Sequence, residues 1–160
     1  MKRILLTFTL LISIISFCSA EGKSNIISFQ QLPDSIQSFM KLHFKNDPIQ
    51  KIKVNSKEYK IVFTNYDEIE FSKQNNQWID MEIENGIPAS ILESLPNRIV
   101  YWLVAYHPGI PVVELQRLNN GFFAMELTTG QDLLFNQEGV FVETQYGDGL
   151  NYPDPKPMYP

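Results

Sequence analysis

The sequence predicts an α+β protein made of two tandem repeats, each a helix followed by four strands. Three observations predict it: a duplication running through the chain, a one-face apolar stripe at the head of each copy, and two-residue alternation after each stripe. Residues 32–85 and 95–146 carry the same pattern. Leu32-Pro33-x-x-Ile36-x-x-Phe39-Met40-x-x-His43 returns 63 positions later as Leu95-Pro96-x-x-Ile99-x-x-Trp102-Leu103-x-x-Tyr106. The same shift pairs Pro48 with Pro111 and Ile49 with Val112. After one inserted residue, a shift of 64 pairs Thr64 with Thr128, Ile69 with Leu133 and Phe71 with Phe135. Such a period is longer than that of solenoid repeats and points to a duplicated small domain.

Residues 1–20 read as a signal peptide. Lys2 and Arg3 form a positive start, Leu5 to Phe17 an apolar run too short to span a bilayer comfortably, and Cys18-Ser19-Ala20 a cleavage site. Phe17 is bulkier than the residue a lipoprotein anchor needs before its cysteine, so soluble export is expected. Cleavage after Ala20 would remove the only cysteine, leaving packing rather than disulfides to hold the fold.

The first repeat is expected over residues 21–86. Its lead-in, Ile26-Ile27-x-Phe29, either adds an edge strand or packs a turn. Pro33 and Asp34 suit a helix start, and Ile36, Phe39, Met40 and His43 recur at helical spacing on one face. Asn46-Asp47-Pro48 ends that helix. Strands follow at 49–55, 58–64, 68–72 and 78–84, with Tyr59, Ile61 and Phe63, then Ile69 and Phe71, then Ile79, Met81 and Ile83 inward. Asn65-Tyr66-Asp67 is a tight turn.

The second repeat is expected over residues 87–146. A short helix at 88–94 precedes the main helix, whose stripe is Ile99, Trp102, Leu103 and Tyr106. Tyr101 lies off that stripe and is expected against residues 88–94. Strands near 112–118, 122–128, 132–136 and 140–145 follow, with Phe123, Met125 and Leu127 inward. Four short strands at this spacing favour an antiparallel meander, and a helix across one face would bury its stripe. Residues 147–160, with four prolines and two glycines, read as a C-terminal tail.

Loss of Lys2 and Arg3 leaves 11 basic against 18 acidic residues, a net charge of −7. Nucleic acid needs a positive footprint and is not expected as a partner. The imbalance is uneven: residues 21–88 hold 8 lysines and 10 acids, residues 89–160 only 3 basic and 8 acidic residues, which reads first as a solubilising surface and, as the alternative, as a second half that favours a basic partner.

No catalytic constellation emerges. The two histidines form no metal-binding spacing, no serine sits in a Gly-x-Ser-x-Gly elbow, and phosphate-cradling glycine loops are missing. No cofactor is expected. Asp67, Glu68 and Glu70 are the densest acidic cluster and weak candidates for calcium, although the twelve-residue calcium loop is absent. An open sheet face is the more informative feature. Val62, Tyr66 and Trp78 from the first repeat and Phe122, Ala124 and Phe141 from the second are expected on it, with Lys60 supplying rim specificity. Aromatic surface of this kind marks interfaces, unless the lead-in or the proline-rich tail covers these rings or one strand faces the other way.

On Leu32-Pro33-x-x-Ile36, Leu95-Pro96-x-x-Ile99, Tyr106-His107-Pro108, Ile69-x-Phe71 and Leu133-x-Phe135, the chain resembles the PepSY-like, beta-lactamase-inhibitor-like proteins exported by gut Bacteroidetes. The resemblance covers nearly all of residues 30–146. It implies one curved antiparallel sheet with the helices packed on its convex face. It also implies a docking role for Trp78, Phe122 and Phe141, without implying inhibition of beta-lactamase. The expected function is an exported, periplasmic or secreted, non-enzymatic module that binds a protein or peptide through the open sheet face. The alternatives are an extracytoplasmic carrier of calcium or a small ligand, and a weak envelope hydrolase.

Overall fold

The computed structural model describes residues 25–146. Strand β1 (Asn25–Ile27) and a single 3-10 turn (Phe29–Gln31) lead into α1 (Asp34–His43), followed by β2 (Ile49–Val54), β3 (Glu58–Phe63), β4 (Glu68–Ser72) and β5 (Trp78–Glu82). A short α2 (Ala89–Leu92) and α3 (Asn97–Tyr106) then precede β6 (Val112–Arg117), β7 (Phe123–Leu127), β8 (Gln131–Phe135) and β9 (Phe141–Tyr146). All strands pair antiparallel with their sequence neighbours, giving one nine-stranded sheet in the order β1 to β9. The lead-in thus supplies both expected outcomes: Ile26 and Ile27 extend the sheet, and Phe29 opens the turn. The β5–β6 ladder joins the halves through Asp80, Met81 and Glu82 opposite Gln116, Leu115 and Glu114.

Both main helices start immediately after a proline, Pro33 and Pro96, which stand as the N-cap residues. Proline costs no helical hydrogen bond there, because the first N–H groups of a helix have no internal acceptor. The helices lie on one side of the sheet. Ile36 and Met40 of α1 and Ile99 and Leu103 of α3 join one core with Ile52, Ile61, Ile69, Met81, Leu115, Met125 and Leu133. Those strand residues stand directly opposite one another, so a single apolar row crosses seven strands from β2 to β8. Among the described residues, no helix is long and apolar enough to cross a membrane.

Each repeat departs from simple alternation at the same places. The register shifts between Ile49 and Lys51 on β2 and, 63 residues on, between Val112 and Glu114 on β6. On β5, Asp80 faces Glu70 while Trp78 faces Phe71; on β9, Glu143 faces Leu134 while Phe141 faces Phe135. The extra residues, Ile79 and Val142, form bulges that reverse the facing of whatever precedes them. Trp78 and Phe141 therefore do not lie on the open face expected from alternation. Trp78 is buried in the core, and Phe141 packs against that core with its ring stacked on Trp102 at 4.5 Å and 7°.

Candidate functional site

The side of the sheet away from the helices is built from the residues that alternate with the core row. Lys51, Val62, Glu68, Glu82, Glu114, Glu126 and Asp132 stand in successive register from β2 to β8. Beside them runs a second row: Lys53, Lys60, Glu70, Asp80, Gln116, Ala124, Leu134 and Glu143. Val62 and Ala124 are buried yet lie outside the helix-side core, as expected for small side chains set among long charged neighbours. The face is therefore polarised. Within these two rows the cations are on β2 and β3, and the carboxylates run from β4 to β9.

Lys60 sits at the boundary, bonded to Glu68 and, at 2.9 Å, to Glu70. Burial works against its ammonium, but bonds to both carboxylates outweigh that and hold its proton above the usual lysine range. Beyond Glu70 the face has no such neutralisation: Asp80, Glu82, Glu114, Glu126 and Asp132 make no ion pair among the described residues. Asp80 is pushed up to about 7 by burial and by Glu70 and Glu82. Glu114 is pushed up to about 8 by burial and by Asp80, Glu82, Glu126 and Asp132, while accepting a 2.8 Å hydrogen bond from Gln116 Nε2. Asp132 rises to about 6 through burial and Glu126, and Glu82 rises for the same kinds of reason.

Of the residues expected to form a binding face, Lys60 and Val62 do lie on it. Tyr66 is at the tip of the β3–β4 hairpin, 77% exposed, and Phe122 is half-buried in the β6–β7 turn, where its N–H donates to Asn120 Oδ1 at 3.0 Å. Trp78 and Phe141 are on the helix side. The expected aromatic cluster is thus dispersed over a hairpin tip, a turn and the core. Tyr101, expected against residues 88–94, is instead 73% exposed.

The acidic trio does not converge either. Asp67 is spent inside the protein: its Oδ1 accepts the Glu84 N–H at 2.9 Å and its Oδ2 accepts from Asn65 Nδ2 at 2.7 Å. Glu68 and Glu70 both engage Lys60. No group of three potential metal ligands comes together among the described residues. His43, half-buried with its ring 4.5 Å from that of Phe39, meets Ser90 Oγ at 2.8 Å and joins α1 to α2.

Sequence reasoning passed over the carboxylate rows because it read each strand's polar residues as an ordinary solvated face. The usable signal was the repeat shift. At the positions of Lys51, Lys53 and Lys60 the second copy has Glu114, Gln116 and Ala124, so equivalent face positions exchange cations for an acid and neutral residues.

The family profile described as "Putative beta-lactamase-inhibitor-like, PepSY-like" matches residues 18–76 and again residues 57–143. No curated protein matches the chain significantly. Among solved structures, a "putative periplasmic protein" from Bacteroides vulgatus ATCC 8482 superposes with TM-score 0.69 at 21% identity, covering 77% of this chain and 97% of its own. A "putative calcium-regulated periplasmic protein" from Bacteroides thetaiotaomicron gives 0.69 at 22%, covering 76% and 96%. A second Bacteroides vulgatus "putative periplasmic protein of unknown function" gives 0.67 at 20%, covering 76% and 98%. At these identities the likeness is one of fold.

Proposed function

Because the chain belongs to the PepSY-like, beta-lactamase-inhibitor-like family, we propose that it is a non-enzymatic module gripping a cationic protein or peptide segment on the open face of its sheet. One observation carries this reading: Glu68, Glu82, Glu114, Glu126 and Asp132 stand in direct register on five neighbouring strands with no helix over them. Like charges placed opposite one another weaken a sheet. A face built this way fits a surface whose counter-charges arrive with a partner.

The mechanism is stoichiometric capture. Lysine or arginine side chains of a segment crossing β5 to β8 would replace the missing cations, and Ala124 and Leu134 would offer apolar contact between them. Lys51 and Lys53 would repel the same segment from the β2 end and so set its placement. The signal-like residues 1–20, together with the periplasmic descriptions of the three structural neighbours, support action outside the cytoplasm.

The test is fluorescence anisotropy of the full chain with a labelled peptide carrying lysine at alternate positions, and with its glutamate counterpart. The lysine peptide is expected to bind and to weaken as salt is raised, and the glutamate peptide to stay free. Joint Glu82→Lys and Glu126→Lys replacement should weaken binding by about tenfold or more, roughly 1.4 kcal/mol. Equal behaviour of the two peptides, or an unaffected double variant, would sink the reading.

The neighbour described as calcium-regulated favours a second reading, a calcium carrier using the same carboxylates. Calorimetric titration with calcium chloride at fixed ionic strength separates the two. Heat at a defined stoichiometry supports the carrier, and silence removes it.

A further inference from the structure

The helix side of the sheet holds a cation that has no carboxylate partner among the described residues. Arg117, at the end of β6, stands directly opposite Phe123 and so belongs to the core-facing set. Its counterpart in the first repeat, 63 residues earlier, is Val54, which stands opposite Tyr59 in the same way. An inward valine position has thus become an arginine in the second copy.

The Arg117 guanidinium lies 4.5 Å from the Trp78 ring centre and 5.2 Å from that of Phe123, and the two rings are 6.3 Å apart. Aromatic faces attract the cation and fix its plane, but they accept no conventional hydrogen bond. Arg117 Nε is buried and has no partner, and the side chain makes no hydrogen bond or ion pair among the described residues. The sequence holds 18 acids against 13 basic residues, so the missing counter-ion is not a shortage of carboxylates. The carboxylate rows project from the opposite side of the sheet. Burial also lowers the Arg117 pKa, the direction expected of a guanidinium without a compensating anion.

The two terminal nitrogens also make no hydrogen bond among the described residues but, unlike Nε, are not sealed from solvent, and such a planar pair of donors matches two oxygens of a single acceptor group. We propose that Arg117, held on the Trp78–Phe123 platform, is the receptor for a small oxyanion, a carboxylate or a phosphate, on the helix-bearing side of the sheet. This site is separate from the open face and takes a ligand of opposite charge.

The test uses the full chain labelled with 15N and titrated at constant ionic strength with succinate in one arm and inorganic phosphate in the other. The Arg117 Nε–H resonance, identified by its loss in Arg117→Lys, is expected to move saturably with at least one anion, together with the Trp78 indole N–H. The Arg98 Nε–H serves as the internal reference. Movement with succinate alone assigns a carboxylate site, and movement with phosphate alone a phosphate site. No saturable movement in either arm, or the same movement at Arg98, overturns the proposal. The wild-type titration decides the question even if the lysine variant folds poorly. The lysine-peptide assay on the same protein reports the open face independently, so one site can fail without the other.

Discussion

Tyr66 shows how a single dihedral angle separates structural from functional roles. It is one of two non-glycine residues with positive φ among the described residues, at 72°, and the second repeat has Gly130 at the equivalent turn with φ 79°. A side chain in the left-handed region carries a steric cost that glycine avoids. Tyr66 is also mostly exposed, so removing its ring forfeits little packing. Tyr66→Gly is expected to raise stability by about 1 kcal/mol, read as a higher urea midpoint with an unchanged slope. The same variant should bind the lysine peptide as the wild type does, because the tip lies off the carboxylate rows. A stabilised but non-binding variant would return Tyr66 to the functional face.

At the scale of the element, the bulges decide what each strand presents. Phe141 is placed by one extra residue, Val142, and its ring then closes the core beneath α3, with Trp102 stacked on it and Phe135 edge-on at 5.7 Å. Phe141→Ala should therefore act on stability, lowering it by about 2–4 kcal/mol in denaturant titration. Lysine-peptide affinity, measured well below the unfolding midpoint, should stay the same. Loss of binding without loss of stability would instead put this ring on the open face. This is also where the sequence was legible and where it was not. The helix stripes, the row Tyr59, Ile61, Phe63 and its copy Phe123, Met125, Leu127 follow from periodicity, because one buried face forces period 3.6 or 2. A bulge adds one residue without any compositional mark. Trp78-Ile79 and Phe141-Val142 are adjacent apolar pairs, so alternation alone could not say which member faces inward. The carboxylates were legible strand by strand, but their alignment into rows is a matter of register between strands, which local pattern does not encode.

For the molecule as a whole, duplication has produced one sheet with two electrostatically different ends, and this difference should govern how stability depends on pH. Asp132, Asp80 and Glu114 have folded-state values near 6, 7 and 8, each raised above the ordinary carboxylate range by burial and by neighbouring acids. A raised folded value means that the native state binds the proton more tightly than the unfolded chain. The stabilisation is complete below the unfolded value, about pH 4, and is lost as pH climbs through the folded values. His43 and His107 work the other way, since burial lowers both and favours their neutral forms as pH rises toward 6.5. Above about pH 7 the histidines are mostly neutral in both states and the carboxylates dominate, so the unfolding midpoint should fall steadily to about pH 8.5. Glu114→Gln keeps an acceptor for Gln116 and removes the most strongly shifted charge, so its midpoint should fall less over that window. Thermal unfolding of both proteins across the window decides the matter. A wild-type midpoint that is flat or rising there, or a variant with the same slope, would mean that water or bound ions already neutralise the rows. A cationic partner should flatten the wild-type slope most at the alkaline end, where the face carries its full charge.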